Sequence, residues 1–150
     1  MEKLIKSKER VRDYAEVFTP TFIVKDMCDL VSDECHKIHS TFLEPACGTG
    51  NFLAEVLSRK FSICKSLDDG LDALLSIFGI DIQLDNVQET RKRLLDMFIK
   101  RFPLASSNYI NCATMILTHN IAHNNALKLT EEQLDRWANG GLLPYYEEDK

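Results

Sequence analysis

Apolar and polar positions along this chain switch repeatedly between a helical period and short β-prone runs. From Thr21 onward, apolar residues fall at Ile23, Met27, Leu30, Val31 and Ile38, a stripe that predicts a helix over about residues 22–38 with Thr21 as its cap after Pro20. Thr41-Phe42-Leu43 reads as a short strand that ends at Glu44-Pro45 and a glycine-rich turn. Phe52, Leu53, Val56, Leu57 and Phe61 then mark a second amphipathic helix. The unit is strand, glycine turn, helix.

A capped stretch starting at Asp68 predicts a short helix through Leu71, Leu74 and Leu75, which leads into Ile77-Phe78-Gly79-Ile80-Asp81-Ile82 as a second buried strand. Asp85-x-x-Gln88 is a variant capping box for a long helix using Val87, Leu94, Leu95, Phe98 and Phe102, and Pro103 stops it. One more helix is expected over 109–117, a third strand at Asn120-Ile121-Ala122-His123-Asn124, and a final polar helix from Thr130 to near Gly140-Gly141. Strands alternating with helices predict an α/β protein with a parallel, doubly wound sheet. No repeat, low-complexity tract or linker divides the sequence, so residues 1–150 read as a single domain with a polar arm over 1–15.

Composition changes this picture little. The 150 residues are 45% hydrophobic and carry a net charge of −5, which suits one ordinary domain with a proper core. Apolar runs such as Ala73-Leu74-Leu75 break at once, here at Ser76, so no membrane span is expected. Cys28, Cys35, Cys47, Cys64 and Cys112 are irregularly spaced behind a charged start, which predicts free thiols in a cytoplasmic protein. Lys3, Lys6, Lys8, Arg10 and Arg12 near the start read as a solvated arm rather than a phosphate-contacting one. Cys28, Cys35, His36 and His39 match no common zinc spacing, and Trp137 reads as a packing anchor.

Chemistry concentrates in Phe42-Leu43-Glu44-Pro45-Ala46-Cys47-Gly48-Thr49-Gly50-Asn51-Phe52-Leu53. A phosphate loop would need Gly-Lys-Ser/Thr, whereas Gly50 is followed by Asn51-Phe52. A dinucleotide fingerprint would need a third glycine where Leu53 stands, and Glu44 would set a carboxylate near the pyrophosphate. An acidic strand tip beside a bare glycine backbone suits a ligand that is cationic there, and S-adenosylmethionine has both an ammonium and a sulfonium. Asp81, at the end of the second strand, stands where open α/β sheets place a carboxylate for ribose hydroxyls.

Glu44-Pro45-Ala46-Cys47-Gly48-Thr49-Gly50 resembles the first cofactor motif of the adenine-N6 DNA methyltransferases of restriction-modification systems. Glu16-Val17-Phe18-Thr19-Pro20 is similar to that family's N-terminal motif, and Gly79-Ile80-Asp81-Ile82 ahead of Asp85-Asn86-Val87 also resembles it. Asn120-Ile121-x-x-Asn124-Asn125-Ala126-Leu127 resembles the third-strand motif, with Asn124 in place of a glycine and Asn125 matching. The resemblance spans about residues 14–127 and implies an incomplete Rossmann-like methyltransferase fold of about three parallel strands with flanking helices. Carried over by position, Thr19 and Pro20 would shape the methionine end of an S-adenosylmethionine site, and Glu44, Ala46, Gly48 and Gly50 would line its loop. Asp81 would hold the ribose, Ile82 would pack on adenine and Asn125 would meet its exocyclic amine.

The family's Asp/Asn-Pro-Pro-Tyr/Phe catalytic loop has no counterpart, because the prolines are Pro20, Pro45, Pro103 and Pro144 and no two are adjacent. Leu143-Pro144-Tyr145-Tyr146 lacks the polar acceptor and a strand before it, and reads as a frayed tail. No catalytic residue is therefore assigned. In the family's 3-2-1-4-5 strand order, such a chain leaves Thr41–Glu44 as an open parallel edge. The expectation is the cofactor-binding portion of a DNA-modifying enzyme that reaches DNA with a complementing polypeptide, or self-associates along that edge. The alternative is a non-catalytic cofactor-binding or interaction protein derived from a methyltransferase.

Overall fold

The computed structural model describes residues 1–148. In chain order its elements are α1 (Lys8–Tyr14), α2 (Thr21–Leu30), α3 (Ser32–Cys35), β1 (Phe42–Glu44), α4 (Asn51–Ile63), α5 (Leu67–Leu75), β2 (Ile77–Asp81), α6 (Leu84–Arg101), α7 (Ser107–Asn120), β3 (Ile121–His123), a 3-10 turn (Ala126–Lys128) and α8 (Glu131–Ala138). The strands form one parallel sheet in the order β1-β2-β3, with Phe42 opposite Ile77, Glu44 opposite Gly79, and Asp81 opposite His123. This is the α/β architecture that the alternation of periods implies: three parallel strands flanked by helices.

Side chains leave alternate faces of a strand, and β2 shows both. Ile77 joins the large core beneath α4, α5, α6 and α7, while Phe78 and Ile80 join Trp137 of α8 in a smaller cluster on the other face. Trp137 is a packing anchor: its ring meets Phe78 edge-on at 5.0 Å, and its indole N–H donates to the His119 carbonyl at 3.0 Å. Gly79 lies under Leu53 of α4 and Cys47 of the turn. A Cβ there would stand 2.8 Å from Leu53 Cδ1 and 3.0 Å from Cys47 Cβ, so Gly79→Ala is expected to lower stability by about 1–3 kcal/mol through overpacking, read by urea unfolding.

Several local expectations change. The helix expected over 22–38 breaks at Val31 into α2 and α3. Its stripe of Ile23, Met27, Leu30 and Val31 is exposed, and the helix buries Val24 and Cys28 instead. The cause is packing: among the long helices α2 rests on α4, so only the narrow face toward α4 is covered. Thr21 is not the cap. Pro20 takes that position, and the Glu2 carboxylate accepts from the Thr21 amide and hydroxyl at 3.0 and 2.6 Å. Ser66, not Asp68, caps α5, accepting from the Asp69 amide at 3.1 Å. Asp85 is not the cap: α6 starts at Leu84 after Gln83, and Asp85 lies in its first turn, where Lys6 and Arg10 hold its carboxylate.

Those bonds also correct the solvated-arm reading at Lys6 and Arg10, whereas Lys3, Lys8 and Arg12 are exposed as that reading expects. Lys6 pairs with Asp85 and Glu89 at 3.0 and 3.1 Å, and Arg10 with Asp85 and Glu16 at 2.7 and 3.0 Å. The expected frayed tail is also anchored within the described residues. The Asn124 side chain donates to the Pro144 carbonyl at 3.0 Å, Leu143 packs on the Trp137 cluster, and Tyr146 meets the His123 ring edge-on at 4.9 Å.

Lys60 on α4 is fully buried. Its ammonium donates to the carbonyls of Lys37 and Ile38 at 2.9 Å, to the Ser40 carbonyl, and to Ser76 Oγ at 2.8 Å. One cation thereby joins the loop entering β1 to the corner entering β2. All five cysteines are free, and only Cys112 is exposed. No helix among the described residues is long and apolar enough to cross a membrane.

Candidate functional site

The turn after β1 is shaped by glycines whose conformations an L side chain resists. Gly48 has φ +54° and Gly50 φ +88°. A Cβ on Gly48 would approach the Phe18 ring at 3.0 Å, and one on Gly50 would meet Thr90 Cγ2 at 3.0 Å. Thr90 of α6 donates its hydroxyl to the Gly48 carbonyl at 2.9 Å, and the Cys47 amide donates to the Ile80 carbonyl at 2.8 Å. The loop is therefore clamped to β2 and α6. Burial pushes the Cys47 thiol up to about 12, so the one cysteine of the turn is not a nucleophile at neutral pH.

A cleft of about 400 Å³ opens at the carboxyl ends of the strands, where open α/β sheets bind ligands. Ala46, Gly48, Asp81, Ile82 and Asn125 line it, together with Glu16 and Phe18. Its volume falls in the usual range for small-molecule sites, roughly 300–1,000 Å³.

Asp81 is the hub. Its Oδ2 accepts from the Gly48 amide at 2.9 Å, and its Oδ1 from the Gln83 amide at 2.8 Å and Asn86 Nδ2 at 3.2 Å. A carboxylate has about four acceptor sites, so Oδ2 keeps room for one further donor without displacing a protein group. Glu44, at the tip of β1, accepts from the Ala46 amide at 3.2 Å, and burial raises its pKa, with the nearby Asp81 charge adding to the rise. The Asn125 carboxamide oxygen accepts from the Leu127 amide at 3.0 Å and caps the 3-10 turn, while its own amide donates to Asn124 Oδ1 at 2.8 Å.

Of the residues singled out from sequence, Ala46, Gly48, Asp81, Ile82 and Asn125 meet around this cleft, and Thr19, Pro20, Glu44 and Gly50 are not on its wall. The Thr19 carbonyl instead accepts from Asn51 Nδ2 at 3.0 Å, Pro20 opens α2, and Gly50 opens α4. Tyr14, Ala15, Glu16, Val17 and Phe18 form one side of the cleft; the motif at 16–20 points to this segment, but its roles fall on Thr19 and Pro20 rather than on the residues that line it. Ala15 makes that side possible by adopting φ +52°, the sole left-handed non-glycine among the described residues. An alanine carries no sequence signal for that conformation.

The cleft is acidic in its fixed groups and its glycine amide is already turned onto a carboxylate, which opposes a phosphate ligand and favours one that brings donors or positive charge. No protein-family model matches this chain, and no solved structure matches it. Over 80 residues the chain is 34% identical to a type II methyltransferase, M.VspI, of Vibrio sp. (strain 343), a match that covers 53% of this chain and 16% of that protein. The chain thus spans only a small part of that relative's length.

Proposed function

We propose that these residues are the S-adenosylmethionine-binding portion of a DNA adenine-N6 methyltransferase of the restriction-modification type, and that methyl transfer needs a catalytic loop from outside them. The observation that carries this reading is the Gly48 loop closed on Asp81 across the strand ends, with Ile82 and Asn125 on the same cleft. The free lone pair of Asp81 Oδ2 suits a ribose hydroxyl, and Ile82 suits the face of a purine. The cofactor, when bound, supplies the electrophilic methyl group. The chain's part is to hold and orient it and to bound the cleft.

Supply from outside is supported by two features. The 150 residues contain no adjacent prolines, and Pro144 is tied to Asn124 beyond β3, at the opposite edge of the sheet from β1. Among the described residues β1 is paired on one side only, and Leu43 on it is exposed. A parallel edge of this kind is normally covered. A strand from a complementing polypeptide, or from a longer form of this one, fits it better than a second copy. In a parallel ladder the residues facing each other bond unequally, so an exact two-fold axis along the strands cannot generate one. With its net charge of −5, this portion leaves DNA contact to the complementing part.

Calorimetry with S-adenosylmethionine is expected to show saturable 1:1 binding, and a labelled-methyl assay on adenine-containing DNA is expected to show no transfer by the 150 residues alone. Absence of binding removes the cofactor reading. Transfer by the chain alone removes the need for an outside loop, and binding without transfer after a partner bearing Asn-Pro-Pro-Tyr is added favours a non-catalytic cofactor-binding protein.

A further inference from the structure

The first eighteen residues make a connection to the cleft that the proposed site does not require. Arg10 of α1 stands between two carboxylates. Its Nη1 and Nη2 donate to Asp85 at 2.7 and 3.0 Å, and its Nη2 also donates to Glu16 Oε2 at 3.0 Å. Glu16 Oε2 accepts a second bond, at 2.8 Å, from Asn86 Nδ2, and the same Asn86 nitrogen donates to Asp81 Oδ1 at 3.2 Å. A continuous path therefore runs from Arg10 through Glu16 and Asn86 to Asp81, and Asp81 holds the Gly48 amide at 2.9 Å.

The burial along this path is unusual for so polar a set. Asn86 is fully buried. Its Oδ1 has no hydrogen-bond partner among the described residues, and Arg10 Nε and Glu16 Oε1 are buried 3.0 Å apart without hydrogen-bond alignment. An amide kept in the interior with an unsatisfied acceptor is destabilising unless its donor does something an apolar side chain could not. Here that donor joins two carboxylates that would otherwise repel each other, and Arg10 supplies the positive charge that lets them stay close. Lys6 adds a second tie, to Asp85 and Glu89 at 3.0 and 3.1 Å, and the Phe18 amide donates to the Leu4 carbonyl at 2.7 Å. Together these bonds lay residues 14–18 along the cleft, with Phe18 against Gly48.

We propose that residues 1–18 are a clasp whose Arg10, Glu16 and Asn86 are positioning residues for Asp81: closure of the clasp orients that carboxylate and the Gly48 loop, so that ligand affinity at the cleft depends on a salt bridge outside it. The dependence on ligand rests on the function proposed above; the coupling of clasp to loop does not.

Amide exchange followed by NMR on the full 150-residue chain, without ligand, reads the coupling. Arg10→Ala is expected to accelerate exchange at least tenfold at Phe18, which reports the clasp, and also at Gly48 and Gln83, whose amides donate to Asp81, while Leu57 and Leu94 in the core stay unchanged. Glu16→Gln is expected to reach Gly48 and Gln83 as well, and the double variant to go little further than Arg10→Ala alone. Acceleration at Phe18 without any at Gly48 and Gln83 would make the clasp a structural strap and overturn the inference. If Arg10→Ala also loosens the core amides, Arg10→Lys, which keeps the charge but not the fork, must show Gly48 accelerating ahead of the core or the inference falls. Calorimetry with S-adenosylmethionine forms the second arm, with about tenfold weaker binding expected in Arg10→Ala. Unchanged affinity beside a wild type that binds overturns the ligand dependence, whereas a wild type that does not bind overturns the proposed function and leaves the exchange result standing.

Discussion

Replacing Lys60 with methionine should lower the stability of this domain by about 3 kcal/mol and its melting temperature by roughly 10 °C. Methionine fills nearly the same volume, so packing is conserved, but the carbonyls of Lys37, Ile38 and Ser40 and the Ser76 hydroxyl lose a shared donor. Each buried acceptor left without a partner costs about 1–3 kcal/mol. Relief from burying a charge offsets part of the sum. Urea unfolding of both proteins at pH 7 measures the difference, and a variant as stable as the wild type would mean that water replaces the ammonium.

The same side chain gives that difference a pH dependence of known sign. Burial pulls the Lys60 ammonium down to about 8 in the folded protein, against about 10.4 in an unfolded chain. Below pH 8 both states carry the charge, and its desolvation counts against folding. Between about 8 and 10.4 the folded state has shed the proton and the unfolded state still binds it, so this group's contribution to stability rises with pH. Wild-type stability minus that of Lys60→Met is therefore expected to increase across that window. A decrease would show that the carbonyl acceptors favour the ammonium by more than burial disfavours it.

The second large effect is expected at Gly48. Gly48→Leu forces a side chain into φ +54° and starts it 3.0 Å from the Phe18 ring, on the wall of the cleft. A left-handed L residue costs roughly 1–2 kcal/mol, and the branched side chain must displace Phe18 or occupy the cleft. S-adenosylmethionine binding should weaken by at least about 100-fold, equivalent to roughly 2.7 kcal/mol, and circular dichroism should show the fold retained. Undiminished binding would place the ligand elsewhere and remove the basis for the proposed site. Asp81→Ala is a less clean test, because Asp81 also holds the Gly48 and Gln83 amides.

Much of the fold was legible because the elements around the glycine turn repeat strong local signals. β2 is a continuous apolar run, as a strand buried on both faces must be, and α6 has a sustained helical stripe that Pro103 ends. α2 was misread for a physical reason. Its stripe of Ile23, Met27, Leu30 and Val31 has helical spacing, yet periodicity shows only that a face is apolar and not that anything covers it. In this structure α4 meets the neighbouring face, through Val24 and Cys28. Capping failed similarly at Asp85, whose local pattern suits a helix start but whose carboxylate is captured by Arg10, 75 positions away in sequence.

The candidate site divides along the same line. Glycines at 48 and 50 and a carboxylate at Asp81 could be read from the sequence, because a tight turn and a strand-end acid leave local signatures. Sequence also determined the order of elements and hence the class of fold. Only the tertiary structure decided which side of the cleft residues 14–18 form, that Thr19 and Pro20 stay off its wall, and that Glu16 is tied to Asp81 through Asn86. These depend on salt bridges between segments far apart in the chain and on a left-handed Ala15, and neither long-range charge pairing nor an alanine's backbone angle is written in local spacing.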